Sequence, residues 1–267
     1  MSPRAPRSTR SSLSFQTLLP WLDVVAIAAW GGLFLKYWFS GKLYLLIHPN
    51  YMGLTVVAGV VLLLVSGIKA VLLVKQARRP IRGSATGQHL SLFPPGWSTA
   101  LLLGTAILGL LISPRAFASQ TAIDRGVNDN LTLTRVKPQA FRVSTDTADK
   151  TLVDWVRTLA VYPEPDAYTG QKAKVQGFVV HPKDLPADYF LLSRFVLTCC
   201  AADAYPISLL VKLPQGSGVQ GREAYKPDTW LEVEGEMITA ELAGQRQLTI
   251  AANTLKPIPE PKNPYDY

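Results

Sequence analysis

Three long apolar runs in the first 113 residues constrain the fold of this 267-residue chain more than any other feature. They extend over about 18–39, 51–74 and 96–112. A helix that crosses the hydrocarbon core of a bilayer needs about 20 apolar residues, within a range of roughly 17–25. The first two runs meet this length, and the third is near its lower limit. We therefore expect a membrane domain of three transmembrane helices over 18–112, with a buried core helix as the alternative for the third run.

The charge of the chain is concentrated in this apolar part. Residues 1–113 contain ten basic residues and one acid, Asp23, whereas residues 114–267 contain 17 basic and 18 acidic residues. The formal charge of +8 thus consists of +9 in the first part and −1 in the second. Nucleic acid is therefore not an expected partner, because the second part has no excess of basic residues to neutralise phosphates.

The positions of the basic residues predict how the helices are oriented. The N-terminal tail 1–17 and the loop 75–95 are basic, whereas the loop 40–50 carries little charge. Lys and Arg stay on the cytoplasmic side of membrane helices. The N-terminus is therefore expected in the cytoplasm and everything after Ile112 outside it. A signal peptide is the alternative for the first run, although no small-x-small cleavage site follows that run.

The second half of the chain predicts an external domain. Residues 113–140 are polar and indicate a linker, and residues 141–267 follow as the domain. Apolar residues at helical spacing predict one helix over 148–162, with Thr147 as a cap and Pro163 as the end.

Alternating apolar and polar residues predict five short strands after this helix. They are expected over about 174–180, 189–198, 207–211, 230–240 and 247–251. Gly177 and Gly235 lie inside the first and fourth strands, where the strands of a small barrel bend sharply. The expected fold is therefore a membrane α part followed by an external, mainly-β part, a small OB-like five-stranded barrel with one preceding helix. A five-stranded sheet with one helix fits the same periodicity.

Two adjacent cysteines, Cys199 and Cys200, end the second predicted strand, and Asp203 follows them. His181 ends the first predicted strand, so pairing of the two strands would bring it towards the cysteines. Such side chains are ligands for Zn²⁺ or Cu(I). Both thiols bind one ion only at a bend or a strand end, because adjacent strand side chains point to opposite faces. Structural cysteines and a vicinal disulfide are the alternatives.

His48, in the predicted external loop, is a further candidate metal ligand, with an interfacial histidine as its alternative. The external half contains a single histidine, His181, and neither Gly-x-Ser-x-Gly nor His-Glu-x-x-His. Glu232 and Glu234 share one strand face, which is more typical of a solvated surface than of a catalytic pair. The sequence therefore predicts a protein that is not an enzyme.

Three stretches resemble the YcgQ-like family of bacterial membrane proteins. They are RFVLTCCAADA at 194–204, VYPEPDAY at 161–168 with GFV at 177–179, and WLEVEG at 230–235. The family is described as permease subunits with an uncharacterised C-terminal domain. The resemblance implies a multi-pass protein of the bacterial inner membrane that accompanies a separate multi-span permease, and some relatives are associated with zinc homeostasis. It also strengthens a metal or redox role for Cys199, Cys200 and Asp203.

The combined expectation is a non-enzymatic accessory subunit of a membrane permease in metal homeostasis, whose external domain captures or gates the solute. Three helices with so few polar residues are too few to line a pathway alone. Two alternatives come from other classes. One is a membrane-anchored thiol redox or metal-chaperone domain that acts without a permease, and the other is a stand-alone binding module of the OB type.

Overall fold

The chain divides into two compact units, Met1–Pro114 and Arg115–Tyr267. The structure, a computed structural model, describes residues 11–78, 96–127, 150–214, 221–242 and 244–267. The division falls just after the third apolar run, inside the polar stretch that the sequence assigns to a linker.

The described residues of the first unit include three apolar α-helices. They are α1 (Ser11–Phe39), α2 (Pro49–Arg78) and α3 (Trp97–Leu111). Two segments have the length and apolar composition of membrane spans, Leu18–Phe39 with a mean hydropathy of 1.8 and Pro49–Arg78 with 2.6. Helix α3 has 15 residues, which makes it about 22 Å long, shorter than a hydrocarbon core of about 30 Å. Its crossing of a membrane therefore stays a prediction.

Close helix packing holds this unit together. A Cβ atom on Gly31 would lie 2.8 Å from the carbonyl oxygen of Gly59, so the small residues let α1 and α2 approach closely. Ser66 Oγ of α2 donates a hydrogen bond of 2.9 Å to Val24 O of α1. Contacts of this kind between small and polar residues stabilise helix pairs in an apolar environment.

Three charged side chains of these helices, Asp23, Lys36 and Lys69, have partners within the same unit. Thr99 Oγ1 donates to Asp23 Oδ1, and Lys69 Nζ lies 3.8 Å from Asp23 Oδ2. Lys36 Nζ donates to Leu110 O at 2.5 Å. The acid of α1 therefore pairs with side chains of α2 and α3.

The described residues of the second unit include two short α-helices and six strands. The helices are α4 (Ser119–Asp124) and α5 (Leu152–Val161). The strands are β1 (Lys172–Val180), β2 (Tyr189–Val196), β3 (Tyr205–Lys212), β4 (Trp230–Leu242), β5 (Gln245–Pro257) and β6 (Tyr265–Asp266). Helix α4 lies within the predicted linker, whose residues 128–140 are outside the described part of the chain.

The helix predicted over 148–162 begins later, at Leu152. Its cap is Thr151, whose hydroxyl accepts from Asp154 N while the Asp154 carboxylate accepts from Thr151 N. This reciprocal capping box fixes the start of a helix. The expected cap, Thr147, lies outside the described residues.

The strands form one mixed six-stranded sheet in the order β1-β4-β5-β3-β2-β6, and β1 pairs with β2 as well. The β3–β5 and β2–β6 pairs are parallel, and the other pairs are antiparallel. Each of the five predicted strands is present. The sixth, β6, was not predicted, so the expected strand number was wrong by one.

Two glycines are required by the close pairing of these strands. A Cβ atom on Gly177 of β1 would lie 2.6 Å from Ser193 O of β2. Gly235 of β4 sits where the β4–β5 register shifts, and a Cβ there would collide with Ala251 O. A β-bulge of this kind bends a strand, as the sequence predicted for Gly235; a bend at Gly177 stays a prediction. The core lies between α5, with Trp155 fully buried, and the sheet.

Candidate metal centre

Cys199 and Cys200 lie in the turn that connects β2 to β3. Their Sγ atoms are 3.7 Å apart, much further than the roughly 2.05 Å of a disulfide bond, so both thiols are free. The chain bends after β2 ends, and this bend turns the two side chains to the same side. The two cysteines therefore lie at a bend, which is the condition under which adjacent residues can bind one ion. Cys199 is exposed, and Cys200 is half-buried.

Asp203 fixes the shape of this turn. Its Oδ2 accepts from Thr198 Oγ1 at 2.5 Å and from Cys199 N at 2.8 Å. Its Oδ1 accepts from Cys200 N at 3.2 Å, and Asp203 N donates to Cys200 O at 3.1 Å. The carboxylate thus holds the backbone of both cysteines, as side chains that stabilise tight turns commonly do.

The same contacts set the protonation of the turn. Burial acts to raise the pKa of Asp203, but hydrogen bonds from Cys199, Thr198 and two backbone amides lower it to about 2. The hydrogen bond from the Cys199 thiol to Asp203, together with the Cys200 thiol, raises the pKa of Cys199 to about 12. Cys199 is therefore a thiol at neutral pH, and a metal ion that binds there displaces its proton.

Three potential ligand atoms lie close together in the turn. One ligand atom from each of Cys199, Cys200 and Asp203 lies within 4.8 Å of the others. Two thiolates on a tetrahedral zinc ion, each at about 2.3 Å, are about 3.8 Å apart. The observed 3.7 Å separation matches this value. The cysteine turn, defined as residues 198–203, is therefore the candidate metal centre.

Arg125 is a residue of this centre that sequence reasoning missed. It follows α4, and its Nη1 donates to Ala204 O and, at 3.4 Å, to Ala201 O. Its guanidinium also lies 4.6 Å from the ring centre of Phe117. No pattern in the sequence indicates this contact, because the polar stretch around Arg125 predicts a linker.

A cleft of about 760 Å³ adjoins the turn. Asp124 and Arg125 line it from the end of α4, and Asp203 and Tyr205 line it from the turn and from β3. The cleft therefore borders the turn at residues 202–204.

His181 does not join this centre. Val180 of β1 pairs with Leu191 near the start of β2, and β2 continues for about 16 Å before it ends at Val196. The cysteines follow that far end. The expected approach of His181 to the cysteines is therefore wrong, because antiparallel pairing sets the end of β1 beside the start of β2.

His181 has a structural environment instead. Its Nε2 is buried and has no hydrogen-bond partner among the described residues. Burial and the nearby Arg222 guanidinium hold the pKa of His181 below its usual value. The ring is therefore neutral at physiological pH.

His48 lies in the first unit, directly before α2. Its Nδ1 accepts from Asn50 N at 3.1 Å, and its ring lies 5.9 Å from that of Tyr51. These contacts cap the start of the helix, and a metal role for His48 stays a prediction.

Glu232 and Glu234, which lie two residues apart on β4, are part of a cluster of ion pairs on the surface. Lys174 Nζ lies 3.5 Å from Glu232 Oε1 and 2.6 Å from Glu234 Oε1. Gln176 Nε2 also donates to Glu232. Both carboxylates therefore have partners on the strand surface.

Two family models match the chain, one over residues 22–128 and the other over residues 137–267. The first is described as the DUF1980 N-terminal domain and the second as the DUF1980 C-terminal domain. The chain belongs to the DUF1980 family. DUF1980 is an uncharacterised family, so the permease role implied by the sequence resemblance stays a prediction. No curated protein matches this DUF1980 chain, and no solved structure matches it.

Proposed function

We propose that this DUF1980 protein is a membrane-anchored accessory subunit that captures a thiophilic metal ion and delivers it to a separate multi-span permease. Cys199 and Cys200 are the proposed ligands. The observation that carries this proposal is the 3.7 Å separation of their Sγ atoms, in a turn whose backbone Asp203 holds.

Zinc fits this pair better than two-coordinate copper does. A linear arrangement with bonds of the same length would separate the sulfurs by about 4.6 Å, whereas adjacent cysteines in this turn lie closer together. Thiolates select Zn²⁺ and Cu(I) over harder cations. We therefore take Zn²⁺ as the first ion to test and Cu(I) as the second.

The exposure of the pair supports capture and release rather than a structural site. Structural zinc sites are closed by four protein ligands, whereas sites that exchange ligands keep open positions. Here two thiols are close together, and Asp203 already accepts hydrogen bonds on both oxygens. Asp203 therefore acts mainly to position the thiols, and the remaining positions are left for water or for the acceptor.

Three membrane helices with a cytoplasmic N-terminus are proposed as the anchor. The apolar length of α1 and α2 supports this, as does the internal pairing of Asp23 with Lys69 and Thr99. The basic residues near both cytoplasmic ends support the orientation.

An OB-like barrel is proposed for the external domain. The β1–β2 pairing joins the two ends of the five-strand order β1-β4-β5-β3-β2, which supports a closed arrangement. The two-residue strand β6 is then an addition at the edge of β2.

The metal claim is tested with the full chain in detergent under reducing conditions. Wild type and Cys199→Ser plus Cys200→Ser are titrated with Zn²⁺ against a chromophoric chelator. The double variant is expected to lose more affinity than the roughly 10- to 100-fold of changes outside the ligand shell. Asp184→Asn is the control, because Asp184 is exposed on another loop. Equal affinity of the double variant and wild type would refute the metal role.

The permease claim needs a separate test. Cells that express the tagged chain are crosslinked, and the chain is purified from their membrane extract. Its partners are then identified by mass spectrometry. A multi-span membrane protein is expected in repeated purifications from wild type and from the double variant alike. Repeated recovery of the chain alone would contradict the accessory role and leave a metal chaperone that acts without a permease.

Thiol redox cycling is the alternative for the same residues. The raised pKa of Cys199 disfavours it, because reactive cysteines have lowered pKa values. Mass spectrometry of protein trapped with acid from cells decides between the two. A mixture of dithiol and disulfide that follows the growth conditions would support cycling.

A further inference from the structure

The short segment Arg115–Val127, which follows the first unit along the chain, makes specific contacts with the cysteine turn. Helix α4 ends in a Schellman arrangement, in which Gly126 has a φ of 81° and Val127 N donates to Ala122 O at 2.9 Å. This type of helix end fixes the backbone on both sides of it. Arg125 is therefore held at a defined position.

The segment is anchored to the second unit at two further points. The ring of Phe117 lies 5.1 Å from that of Phe195 and 5.7 Å from that of Tyr265. Phe117 N donates to Tyr265 Oη at 3.2 Å, and Ser119 N donates to Asp228 Oδ1. Ala122 and Val127 are fully buried. These contacts bring the Arg125 guanidinium to the carbonyls of the turn.

The cysteine turn is thus held from two sides. Asp203 accepts from the amides of Cys199 and Cys200, while Arg125 donates to the carbonyls of Ala201 and Ala204. Side chains outside the ligand shell that fix the ligands raise metal affinity, because the ion then does not have to order the loop.

We propose that Arg125 is a positioning residue for the Cys199–Cys200 pair, so that metal binding and the docking of segment 115–127 are coupled. The proposal rests on the metal function proposed above. Coupling of two binding events is reciprocal. If the docked segment strengthens metal binding by a given factor, the metal strengthens the docking by the same factor.

The planar shape of the guanidinium is the feature that this role needs. Nη1 alone donates to both carbonyls, while the guanidinium plane lies over the Phe117 ring; a lysine ammonium can donate to carbonyls but does not reproduce this stacking. Arg125→Gln is therefore expected to weaken Zn²⁺ binding about 10-fold or more, within the range of changes outside the ligand shell. Arg125→Lys is expected to recover only part of this loss.

The structure offers a matched control at the other end of β2. Arg222 Nη1 donates to Pro182 O at 3.1 Å and to Leu185 O at 3.0 Å, so it also holds a loop by two carbonyls. Arg222→Gln removes a similar set of contacts far from the cysteines. It is expected to leave Zn²⁺ affinity unchanged.

The experiment uses the full chain in detergent with Zn²⁺ alone as the probe. Affinity is measured for wild type and the three arginine variants, and amide hydrogen exchange of residues 115–127 is followed with and without Zn²⁺. In wild type, Zn²⁺ is expected to slow exchange in this segment. In the double serine variant, Zn²⁺ is expected to have no effect on it.

The outcomes separate the two proposals. Absence of Zn²⁺ binding by wild type overturns the zinc function and this inference with it. Binding by wild type with equal affinity in Arg125→Gln overturns the inference alone. So does unchanged exchange of segment 115–127 on Zn²⁺ addition, even if Arg125→Gln binds weakly, because a purely structural role of Arg125 predicts that result.

Discussion

The two ends of β2 carry loops that are built alike and present different side chains. At the start of β2, Arg222 donates to the carbonyls of Pro182 and Leu185. At its end, Arg125 donates to those of Ala201 and Ala204. An arginine on two carbonyls is therefore a structural device in this domain and does not by itself mark a site.

The difference lies in what each loop presents. The first loop buries the Nε2 atom of its histidine, His181. The second exposes Cys199 and turns it to the same side as Cys200. Only the second loop combines fixed geometry with accessible metal ligands, and this combination is the basis of the metal assignment.

Among substitutions of the side chains that hold the two loops, Asp203→Asn is expected to lower Zn²⁺ affinity the most. An amide cannot accept from Thr198 and from both cysteine amides, since one of its two polar atoms is a donor. Zn²⁺ affinity of the full chain should fall by about 10- to 100-fold. Asp184→Asn is the control in the same titration. Wild-type affinity of Asp203→Asn would mean that the turn keeps its shape without the carboxylate.

Arg222→Gln should separate stability from metal binding. Two backbone carbonyls lose their charged donor, which lowers the free energy of unfolding by about 1–3 kcal/mol. Chemical denaturation of the full chain in detergent measures this change, with Arg115→Gln as a control because Arg115 is exposed. A large loss of Zn²⁺ affinity in Arg222→Gln would contradict the separation of the two loops.

The smallest expected effect is a pH dependence that arises at His181. Because burial lowers its pKa in the folded protein, the unfolded chain takes up a proton first as the pH falls below about 6.5. The folded state then binds fewer protons than the unfolded state, so the free energy of unfolding decreases as the pH falls through this range. His181→Gln should reduce this decrease in thermal melts between pH 7.5 and 5.5. An unchanged pH profile would show that the histidine is solvated.

The sequence predicted much of the fold because periodicity reports burial. Period-two alternation located the five long strands, and the apolar runs located α1, α2 and α3 as helices. The sequence did not predict α4 or β6, because elements of six residues and two residues, respectively, are too short to show a period. Gly235 was recognised as a bending position because a glycine inside a strand has few other causes.

The candidate site was predicted in part. The cysteines and Asp203 were identified from their chemistry, but the side on which the thiols lie depends on hydrogen bonds within the turn. The error over His181 was avoidable, because consecutive antiparallel strands place the end of the first beside the start of the second. Arg125 could not be predicted, because its contact with Ala204 spans 79 residues of the chain.

X-ray absorption at the zinc edge identifies the atoms that bind the ion. The full chain is loaded with one equivalent of Zn²⁺ under reducing conditions, and the scattering shell around the ion is fitted. Zinc binding by the cysteine turn predicts two sulfur ligands at about 2.3 Å, which disappear in Cys199→Ser plus Cys200→Ser. A shell of nitrogen and oxygen atoms alone in the wild-type protein would contradict it.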